Sequence, residues 1–391
     1  MNLAVLKETV AGERRVALVP TAVRRLLDAG FRVVVESGAG DRAGFEDSAY
    51  LEHGARVEES RSEILSQADV LLPVRCEGLL ATDDLEKLRA GQTLISLCDP
   101  LGNPDRIQAF AHCGVNLLAL ELIPRITRAQ SMDVLSSMAT IAGYKSVILA
   151  AATLPRMFPM LITAAGTVLP ARVLVLGAGV AGLQAIATAR RLGAVVDAYD
   201  VRPAVREEIQ SLGANFVDLS LETADAEGQG GYARDLGAAF YRRQQEALAD
   251  WAARATVVIS TASVPGRRAP VLVTADAVAR MKPGSVIVDL AAEQGGNCEL
   301  TQPDETIVAH GVTILGPTNL PATVPFHASE MLARNLSAFL LHLAADGQLD
   351  LDGDGEVLRE TLVVRGGEIV HPRVLERLHA SCQTIRDEGG R

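Results

Sequence analysis

The sequence contains no pair of cysteines spaced closely enough to suggest a zinc ribbon or a redox dithiol. Its five cysteines are scattered along the chain: Cys76, Cys98, Cys113, Cys298 and Cys382. This pattern is typical of reduced, mostly buried thiols, so we expect a cytosolic protein. The first twenty residues also lack the apolar stretch of a signal peptide, because charged residues interrupt them between Lys7 and Arg15.

Positive charge is also in short supply. The 391 residues include 37 lysines and arginines against 48 aspartates and glutamates, which gives a formal net charge of −11. Nucleic acids and anionic membrane surfaces both select basic patches, so this balance argues against either as a partner. Only local arginine clusters remain as candidate sites for anions.

One apolar stretch could be mistaken for a membrane span, but it is interrupted. The most apolar stretch, residues 157–189, has Arg172 as its only charge, and Pro159, Pro170 and several glycines divide it. Each apolar piece is shorter than the ~20 residues that a membrane helix needs. We therefore expect a buried helix, a turn and a buried parallel strand here, and no direct membrane span.

The chain is long and 48% hydrophobic, which is more than one ordinary core requires, so we expect two domains with a cleft. Strand and helix patterns alternate along both halves. In the first half the predicted strands are "NLAVLKE", "RVVVESGAG", "ADVLLPV", "TLISLC" and "NLLALEL". In the second half they are "RVLVLGAG", "VVDAYD", "NFVDLS", "TVVISTAS", "SVIVDLA" and "VTILGPTN". The alternation predicts an α/β fold with parallel sheets.

The clearest local motif is "VLVLGAGVAGLQAIATARRLGAVVDAYD". Gly177, Gly179 and Gly182 form G-x-G-x-x-G between a strand and a helix, where the backbone can approach a pyrophosphate. The next strand ends about twenty residues later at Asp200, whose carboxylate can accept hydrogen bonds from an adenosine ribose. A 2′-phosphate would meet a like charge there, so the motif favours NAD over NADP, although Arg202 nearby weakens that exclusion.

Two readings of this region stay open beside the first. Asp197 is a second candidate for the ribose, less well placed because it lies within the strand, and the glycines could form a turn that holds no ligand. Further cofactor-binding candidates lie next to the glycines, after Asp200 and at the end of the strand "TVVISTAS". They are Val180, Val201, Thr261, Ala262 and Ser263.

Residues 124–146, "PRITRAQSMDVLSSMATIAGYKS", place ionic and hydrogen-bonding side chains directly ahead of a long apolar helix. Ligands of open parallel sheets bind outside the carboxyl ends of the strands. Because this segment crosses the expected cleft, its side chains are well placed to hold a nicotinamide. The alternatives are that Asp133 and Ser136 only cap the helix and that Arg125 forms a surface ion pair worth little.

Seven segments spread over nearly the whole chain form a recognisable set: "ERRVALVP", "VESGAG", "RITRAQSMDVLSSMATIAGYKS", "LGAGVAGLQAIATARRLGAVVDAYDVR", "GGYARDL", "KPGSVIVDLAAEQGGNCEL" and "GPTNLPA". Together they resemble the NAD(H)-binding component, domain I, of the proton-translocating nicotinamide nucleotide transhydrogenases. We therefore predict an α/β protein with two Rossmann-like parallel-sheet domains separated by a cleft. We expect the C-terminal region to pack back on the first half. The domains would then be 1–135 plus 327–391, which is discontinuous, and 136–326.

The resemblance also implies roles for individual residues. Arg125, Gln130, Asp133 and Ser136 would position the nicotinamide and its carboxamide as the catalytic set. Tyr232 would lie at the tip of a mobile loop that closes over the bound nucleotide, the alternative being a packed aromatic in an ordinary loop.

Cofactors and partners follow from the same resemblance. It implies NAD(H) on this chain, NADP(H) on a partner subunit, a membrane domain on another polypeptide, and a homodimer. The chain ends before any membrane helix, so it resembles the separate soluble alpha-subunit form. That form would lie in the cytoplasm, peripheral on the inner membrane through its partners.

Alanine dehydrogenase shares the fold and is the main alternative function. In that relative a lysine follows the strand "ADVLLPV" and a histidine ends the next strand, whereas here these places hold Arg75 and Asp99. Amino-acid oxidation needs a general base, and an arginine does not act as one near neutral pH. Arg15 in the carboxylate-clamp position remains, but a clamp without a base is insufficient. A third possible function is that of a non-catalytic NAD-sensing regulator. Such a regulator would have no reason to keep both the RAQSMD and the GGYA loop.

Overall fold

The computed structural model describes residues 1–81, 83–219, 237–263 and 267–379. The chain divides into two compact units, the first comprising Met1–Met138 with Ala322–Arg391 and the second Ala139–Pro321. Tyr232, the rest of the GGYA loop and Cys382 lie outside the described residues.

The helices of the described residues follow the predicted alternation. In chain order they are α1 (Pro20–Asp28), α2 (Asp47–Glu52), α3 (Arg61–Gln67), α4 (Glu77–Leu80), α5 (Pro104–His112), α6 (Val134–Thr153), α7 (Val180–Arg191), α8 (Arg206–Ser211), α9 (Ala238–Arg254), α10 (Ala275–Ala279), α11 (Pro325–Leu343), α12 (Glu356–Thr361) and α13 (372–379). Helix α1 begins at a proline, whose fixed φ suits the first helical turn, and Gly30 follows its end with a φ of +89°.

The strands are short. In chain order they are β1 (Asn2–Val5), β2 (Arg32–Glu36), β3 (Arg56–Glu58), β4 (Val70–Leu72), β5 (Thr93–Ser96), β6 (Asn116–Ala119), β7 (Leu161–Thr163), β8 (Gly166–Val168), β9 (Arg172–Leu176), β10 (Val195–Tyr199), β11 (Asn215–Phe216), β12 (Val257–Ser260), β13 (Val286–Asp289), β14 (Thr306–Ala309), β15 (Val312–Leu315), β16 (Ala344–Ala345), β17 (Gln348–Leu349), β18 (Leu362–Arg365) and β19 (Glu368–Ile369). Strands β4, β5, β12 and β13 are buried along their whole length.

The sheet of the first unit has the order β19-β18-β6-β5-β4-β1-β2-β3. Strands β1 to β6 run parallel, and the C-terminal strand β18 adds to β6 in antiparallel orientation. The first unit is therefore built from both ends of the chain. The strand order changes direction between β1 and β4, as in doubly wound α/β folds.

The sheet of the second unit has the order β11-β10-β9-β12-β13-β15-β14, parallel except for the edge strand β14. Strand β9 lies between β10 and β12. Along it, Val173 and Val175 pack into one hydrophobic cluster while Leu174 and Leu176 pack into another. A strand with a core on each side needs a continuous apolar run, which is what "VLVL" supplies. The predicted α/β class with two parallel-sheet domains is confirmed.

One prediction about the apolar stretch 157–189 is wrong. Its first section forms the antiparallel hairpin β7–β8 instead of a buried helix, and Ile162 and Leu169 are 77% and 78% exposed. Gly166 turns the chain with a φ of +115°, which a helix does not accommodate, and Pro170 ends the segment directly after the hairpin. The second section forms the predicted buried strand, β9.

Among the described residues, α6 has the length and apolar composition to cross a membrane, with 39% of its most apolar window buried. Core helices of proteins without a membrane span meet the same criterion, so this single helix is weak evidence for a span.

Candidate functional site

The glycine turn of the second unit joins β9 to α7. Gly177 adopts a φ of +94°, and its N–H donates to the carbonyl of Tyr199 at 2.8 Å. A Cβ on Gly182 would lie 1.9 Å from the carbonyl oxygen of Gly177, so the third glycine allows helix and turn to touch. Gly179 has open space where its Cβ would be. Backbone N–H groups at the start of α7 are thus accessible to an anion, as the motif predicts.

The loop after β12 is fastened to this turn. The N–H of Thr261 donates to the carbonyl of Leu176 at 2.8 Å, and its hydroxyl donates to the carbonyl of Gly177 at 3.1 Å. Ala262 is half-buried and Ser263 is exposed. The structure therefore brings these three candidates beside the first glycine, at the carboxyl ends of adjacent strands.

Asn297 holds the same loop and was missed at the sequence level. Its Oδ1 accepts a hydrogen bond from the N–H of Ala262 at 3.0 Å. Its Nδ2 donates to the carbonyls of Ala262 and Pro270, both at 2.8 Å. The side chain is fully buried. The signal available in the sequence was an asparagine directly after the glycine pair Gly295–Gly296, both of which have positive φ.

Asp289, at the end of β13, supports the neighbouring backbone in a similar way. Its Oδ1 accepts from the hydroxyl of Ser260 at 2.9 Å, and its Oδ2 accepts from the N–H of Cys298 at 2.9 Å and the hydroxyl of Thr301 at 2.7 Å. Both carboxylate oxygens are therefore engaged within the fold, and the residue shapes the site without facing a ligand.

Asp200 lies at the end of β10, as predicted, and is buried. Its Oδ2 accepts from the N–H of Ala178 at 2.7 Å. Arg202 pairs with both of its oxygens, Nε to Oδ1 at 2.9 Å and Nη2 to Oδ2 at 2.8 Å, and Val201 between them is half-buried. The carboxylate thus ties β10 to the glycine turn, and its charge is matched by a guanidinium in this structure.

Asp197 sits within β10, where its carboxylate is engaged by two neighbours. Arg172 pairs with it at 3.1 Å, and the side-chain amide of Asn215 donates to it at 3.0 Å. These contacts connect three adjacent strands, β9, β10 and β11. Asp197 therefore has a structural task that accounts for its presence.

The loop that precedes α6 belongs to the first unit. It forms a short 3-10 turn, Thr127–Met132, in which Ala129 and Met132 are buried. Arg125 and Gln130 are exposed. The loop therefore anchors itself through small and apolar residues and presents the polar side chains outward.

Asp133 and Ser136 form a helix cap at the start of α6. The N–H of Ser136 donates to Oδ1 of Asp133 at 2.9 Å, and the Ser136 hydroxyl donates to Oδ2 at 2.6 Å. The capping alternative is therefore present in the structure. It involves neither Arg125 nor Gln130, so capping does not explain those two residues.

The positions predicted from the sequence to separate this chain from alanine dehydrogenase lie in the first unit. Arg75 pairs with Glu77 at 3.1 Å. Asp99 accepts from the side-chain amide of Asn103 at 2.7 Å, and burial raises the pKa of its carboxyl. Arg15 is buried in a two-pronged ion pair with Glu13, with contacts of 2.6 and 2.8 Å.

A parallel sheet whose central strand ends in a glycine turn at a helix amino terminus, with an aspartate ending the next strand, defines a dinucleotide-binding α/β protein. Residues 4–142 match the family profile "Alanine dehydrogenase/PNT, N-terminal domain", and residues 146–372 match "Alanine dehydrogenase/PNT, C-terminal domain". The chain belongs to the alanine dehydrogenase/PNT family, a family of proteins that bind nicotinamide nucleotides.

Relatives within the family divide into two groups by similarity. The chain is 46% identical over 377 residues to an NAD(P) transhydrogenase alpha subunit of Rhodospirillum rubrum, covering 95% of this chain and 98% of that protein. It is 40% identical over 392 residues to the corresponding alpha subunit from Rickettsia prowazekii, covering all of both. The alanine dehydrogenase of Halomonas elongata is 30% identical over 383 residues, covering 96% of each. The resemblance to transhydrogenases is thereby confirmed.

Solved structures do not separate the two groups by fold. A transhydrogenase from Sinorhizobium meliloti superimposes with a TM-score of 0.82 at 42% identity, covering 95% of this chain and 99% of that one. An L-alanine dehydrogenase superimposes with a TM-score of 0.81 at 29% identity, covering 97% and 99%. Activity therefore has to be argued from the site residues.

Proposed function

We propose that this chain is the NAD(H)-binding subunit of a proton-translocating NAD(P)⁺ transhydrogenase. It passes hydride reversibly between NADH and NADP⁺ held on a partner subunit. The observation that carries the proposal is a complete dinucleotide turn in a chain that matches transhydrogenase alpha subunits over its whole length at 40–46% identity. The lower identity to alanine dehydrogenases supports the same choice.

The glycine turn is suited to the pyrophosphate of NAD(H). The open space at Gly179 lets phosphate oxygens reach the first N–H groups of α7, where the helix dipole favours negative charge. Val180 at the helix start and the Thr261–Ser263 loop would line the same pocket. Asp200 would accept hydrogen bonds from the ribose. Its carboxylate would then either bind the ribose and Arg202 at the same time or release Arg202.

The loop before α6 is suited to the nicotinamide. A carboxamide needs both a donor and an acceptor, and the exposed amide of Gln130 offers both. Arg125 would donate a charge-assisted hydrogen bond to the nucleotide. Asp133 and Ser136 would cap helix α6 and also contact the nicotinamide.

Hydride transfer between two nicotinamides requires no general base. The hydride leaves C4 of the dihydronicotinamide, which becomes the aromatic cation, and arrives at C4 of NADP⁺. The protein has only to bring the rings together and exclude water. An amino-acid dehydrogenase needs a base at these positions, whereas a transhydrogenase does not. The proposal therefore accounts for Arg75, which is in an ion pair, and for Asp99, whose carboxylate accepts a hydrogen bond within its own loop.

We further propose that NADP(H) and the membrane domain reside on partner subunits and that this chain sits on the cytoplasmic face of the inner membrane through them. The relatives are named as alpha subunits, which supports a complex of several chains. Proton movement would then belong to the partners.

We also propose a homodimer. The hairpin β7–β8 carries apolar side chains that are largely exposed in the single chain, among them Ile162 and Leu169. The apolar helix α6 is only 39% buried over its most apolar window and exposes Tyr144. Exposed apolar side chains grouped in this way are typical of protein–protein interfaces, which supports the proposal.

The decisive experiment mixes the purified chain with a transhydrogenase NADP(H)-binding domain and measures hydride transfer from NADH to an NADP⁺ analogue. We expect transfer with NADH, little with NADPH as donor to this chain, and no pyruvate from L-alanine and NAD⁺ with the chain alone. Robust pyruvate formation would assign the protein to alanine dehydrogenase. NADH binding without transfer would make it a nucleotide-binding regulator.

A variant pair tests the nicotinamide loop within the same assay. Gln130→Asn keeps the amide and shortens its reach by one methylene, and a misplacement of about 1 Å at the reacting carbons costs ~100-fold in rate. We expect the transfer rate to fall at least ~10-fold while the affinity for NADH stays unchanged. Gln108→Asn, on the exposed side of α5, is the matched control. Equal rates for both variants would make the loop purely structural.

A further inference from the structure

Asn335 links helix α11 to the loop before α6 across 204 residues of sequence. Its Nδ2 donates a hydrogen bond to the backbone carbonyl of Ser131 at 2.8 Å. The side chain is only 7% exposed. An ion pair between Arg128 and Glu356 at 2.9 Å also connects the loop to the C-terminal region, but it is solvent-exposed and correspondingly weak. Asn335 therefore provides a buried hydrogen bond between the loop and α11.

The stability of α11 does not explain an asparagine at this position. Its Oδ1 is buried and has no hydrogen-bond partner among the described residues. A buried acceptor without a partner destabilises a fold, and a leucine of the same branched shape would avoid that cost. Asparagine is also a poorer helix former than leucine. The donor on Nδ2 is the feature of Asn335 that a leucine lacks.

We infer that Asn335 is a positioning residue for hydride transfer, which rests on the function proposed above. By fixing the Ser131 carbonyl, it sets the backbone next to Gln130. The buried neighbours Ala129 and Met132 hold the same turn by packing. Packing prevents the turn from shifting as a whole but still allows small rotations of its backbone. The directed hydrogen bond from Asn335 prevents these rotations. The residue acts through the loop and touches no nucleotide itself.

The test compares Asn335→Leu with Ser337→Ala. Ser337 lies on the same helix, is also buried, and its hydroxyl likewise has no hydrogen-bond partner among the described residues. The two variants therefore both remove a buried unpartnered polar atom, and only Asn335→Leu removes the tie to Ser131. Asn335→Ala, which loses the donor and introduces no charge, is the second variant should the leucine variant fold poorly.

Two readouts are needed. The first is hydride transfer from NADH to an NADP⁺ analogue on the partner domain, measured beside NADH affinity and the thermal midpoint. The second is peptide-resolved hydrogen exchange over residues 124–136, which requires no activity. For Asn335→Leu we expect transfer to fall at least ~10-fold, NADH affinity to stay within about twofold, and exchange in the loop to accelerate at least ~10-fold. Ser337→Ala should match the parent protein in all four measurements.

The inference is overturned if exchange over 124–136 is unchanged in the Asn335 variants. It is equally overturned if transfer stays normal, or if transfer and NADH affinity fall together with the thermal midpoint in both Asn335 variants, because those results describe a residue with no positioning role. Absence of transfer in the parent protein would sink the proposed function instead. In that case the exchange measurement still decides whether Asn335 orders the loop.

Discussion

At the scale of single residues, Glu8 combines a buried carboxyl group with an incomplete set of partners. It lies three residues after β1, and its Oε1 accepts from the N–H of Val74 at 2.5 Å. Its Oε2 is buried without a partner among the described residues. Burial, with a smaller contribution from Glu13, raises the pKa of this carboxyl from 4.5 to about 8, while Arg15 opposes the change.

The raised pKa of Glu8 makes stability depend on pH in a defined direction. The folded protein keeps this proton at pH values where the unfolded chain has lost it, so the stability it contributes is fully present below pH 4.5 and is lost as the pH rises through about 8. Glu8→Gln mimics the protonated form at every pH. One pKa unit corresponds to about 1.4 kcal/mol. We therefore expect the free energy of unfolding of the variant, relative to that of the parent protein, to rise by on the order of 3 kcal/mol between pH 5 and pH 9.

Urea unfolding at pH 5, 7 and 9 measures this difference, with the exposed Glu86→Gln as control. Some pH dependence will remain in the variant, because burial also raises the pKa of Glu121 to about 7. A constant gap between variant and parent across the three pH values would show that Glu8 is ionised in the folded protein throughout.

At the scale of elements, the turn between β9 and α7 contains one glycine that packing requires and another that ligand binding would require. A Cβ at position 182 would overlap the Gly177 carbonyl at 1.9 Å, whereas a Cβ at position 179 would meet nothing within 4 Å. Gly179 has a φ of −74°, which alanine adopts without strain. The two glycines therefore serve different purposes.

We expect Gly182→Ala to destabilise the second unit by at least about 2 kcal/mol, because helix and turn must move apart. Gly179→Ala should cost only about 0.5–1 kcal/mol as a helix cap, yet weaken NADH binding at least ~10-fold by filling the space that the pyrophosphate would occupy. Thermal unfolding and fluorescence titration with NADH distinguish the two. A Gly179→Ala variant with parental NADH affinity would argue against nucleotide binding at this turn.

At the scale of the whole molecule, the hairpin β7–β8 is the most exposed apolar feature of the described chain. Ile162 lies in β7, and Leu169 directly follows β8. Its two strands pair with each other and with neither large sheet of the described residues. If the hairpin packs against a second copy, charges placed on it will separate the subunits.

We expect the double variant Ile162→Lys with Leu169→Lys to sediment as a monomer where the parent protein sediments as a dimer. Val308→Lys is the matched control, since Val308 is 69% exposed on the edge strand β14. NADH affinity should be retained in both. A double variant that remains dimeric would place the interface elsewhere.

The sequence by itself determined the class and the main motif. A continuous apolar run such as "VLVL", rich in β-branched residues and followed by a glycine turn, favours a strand buried on both faces, and the glycine turn with an aspartate about twenty residues on favours a dinucleotide site. The same local chemistry indicated the cap formed by Asp133 and Ser136. Hydropathy misjudged residues 157–170, because it reports how apolar a segment is and not whether anything covers it.

Only the tertiary structure decided the contacts between residues far apart in sequence. It joined Asn335 to Ser131 and Asn297 to Ala262, and it paired β18 with β6. It also paired Arg202 with the Asp200 carboxylate, although these two residues are close in sequence. Periodicity records which face of an element is apolar, but a polar side chain carries no local mark of the partner it will meet. The motif could therefore be found from the sequence, while the residues that hold its loops in place became visible only once the chain had folded.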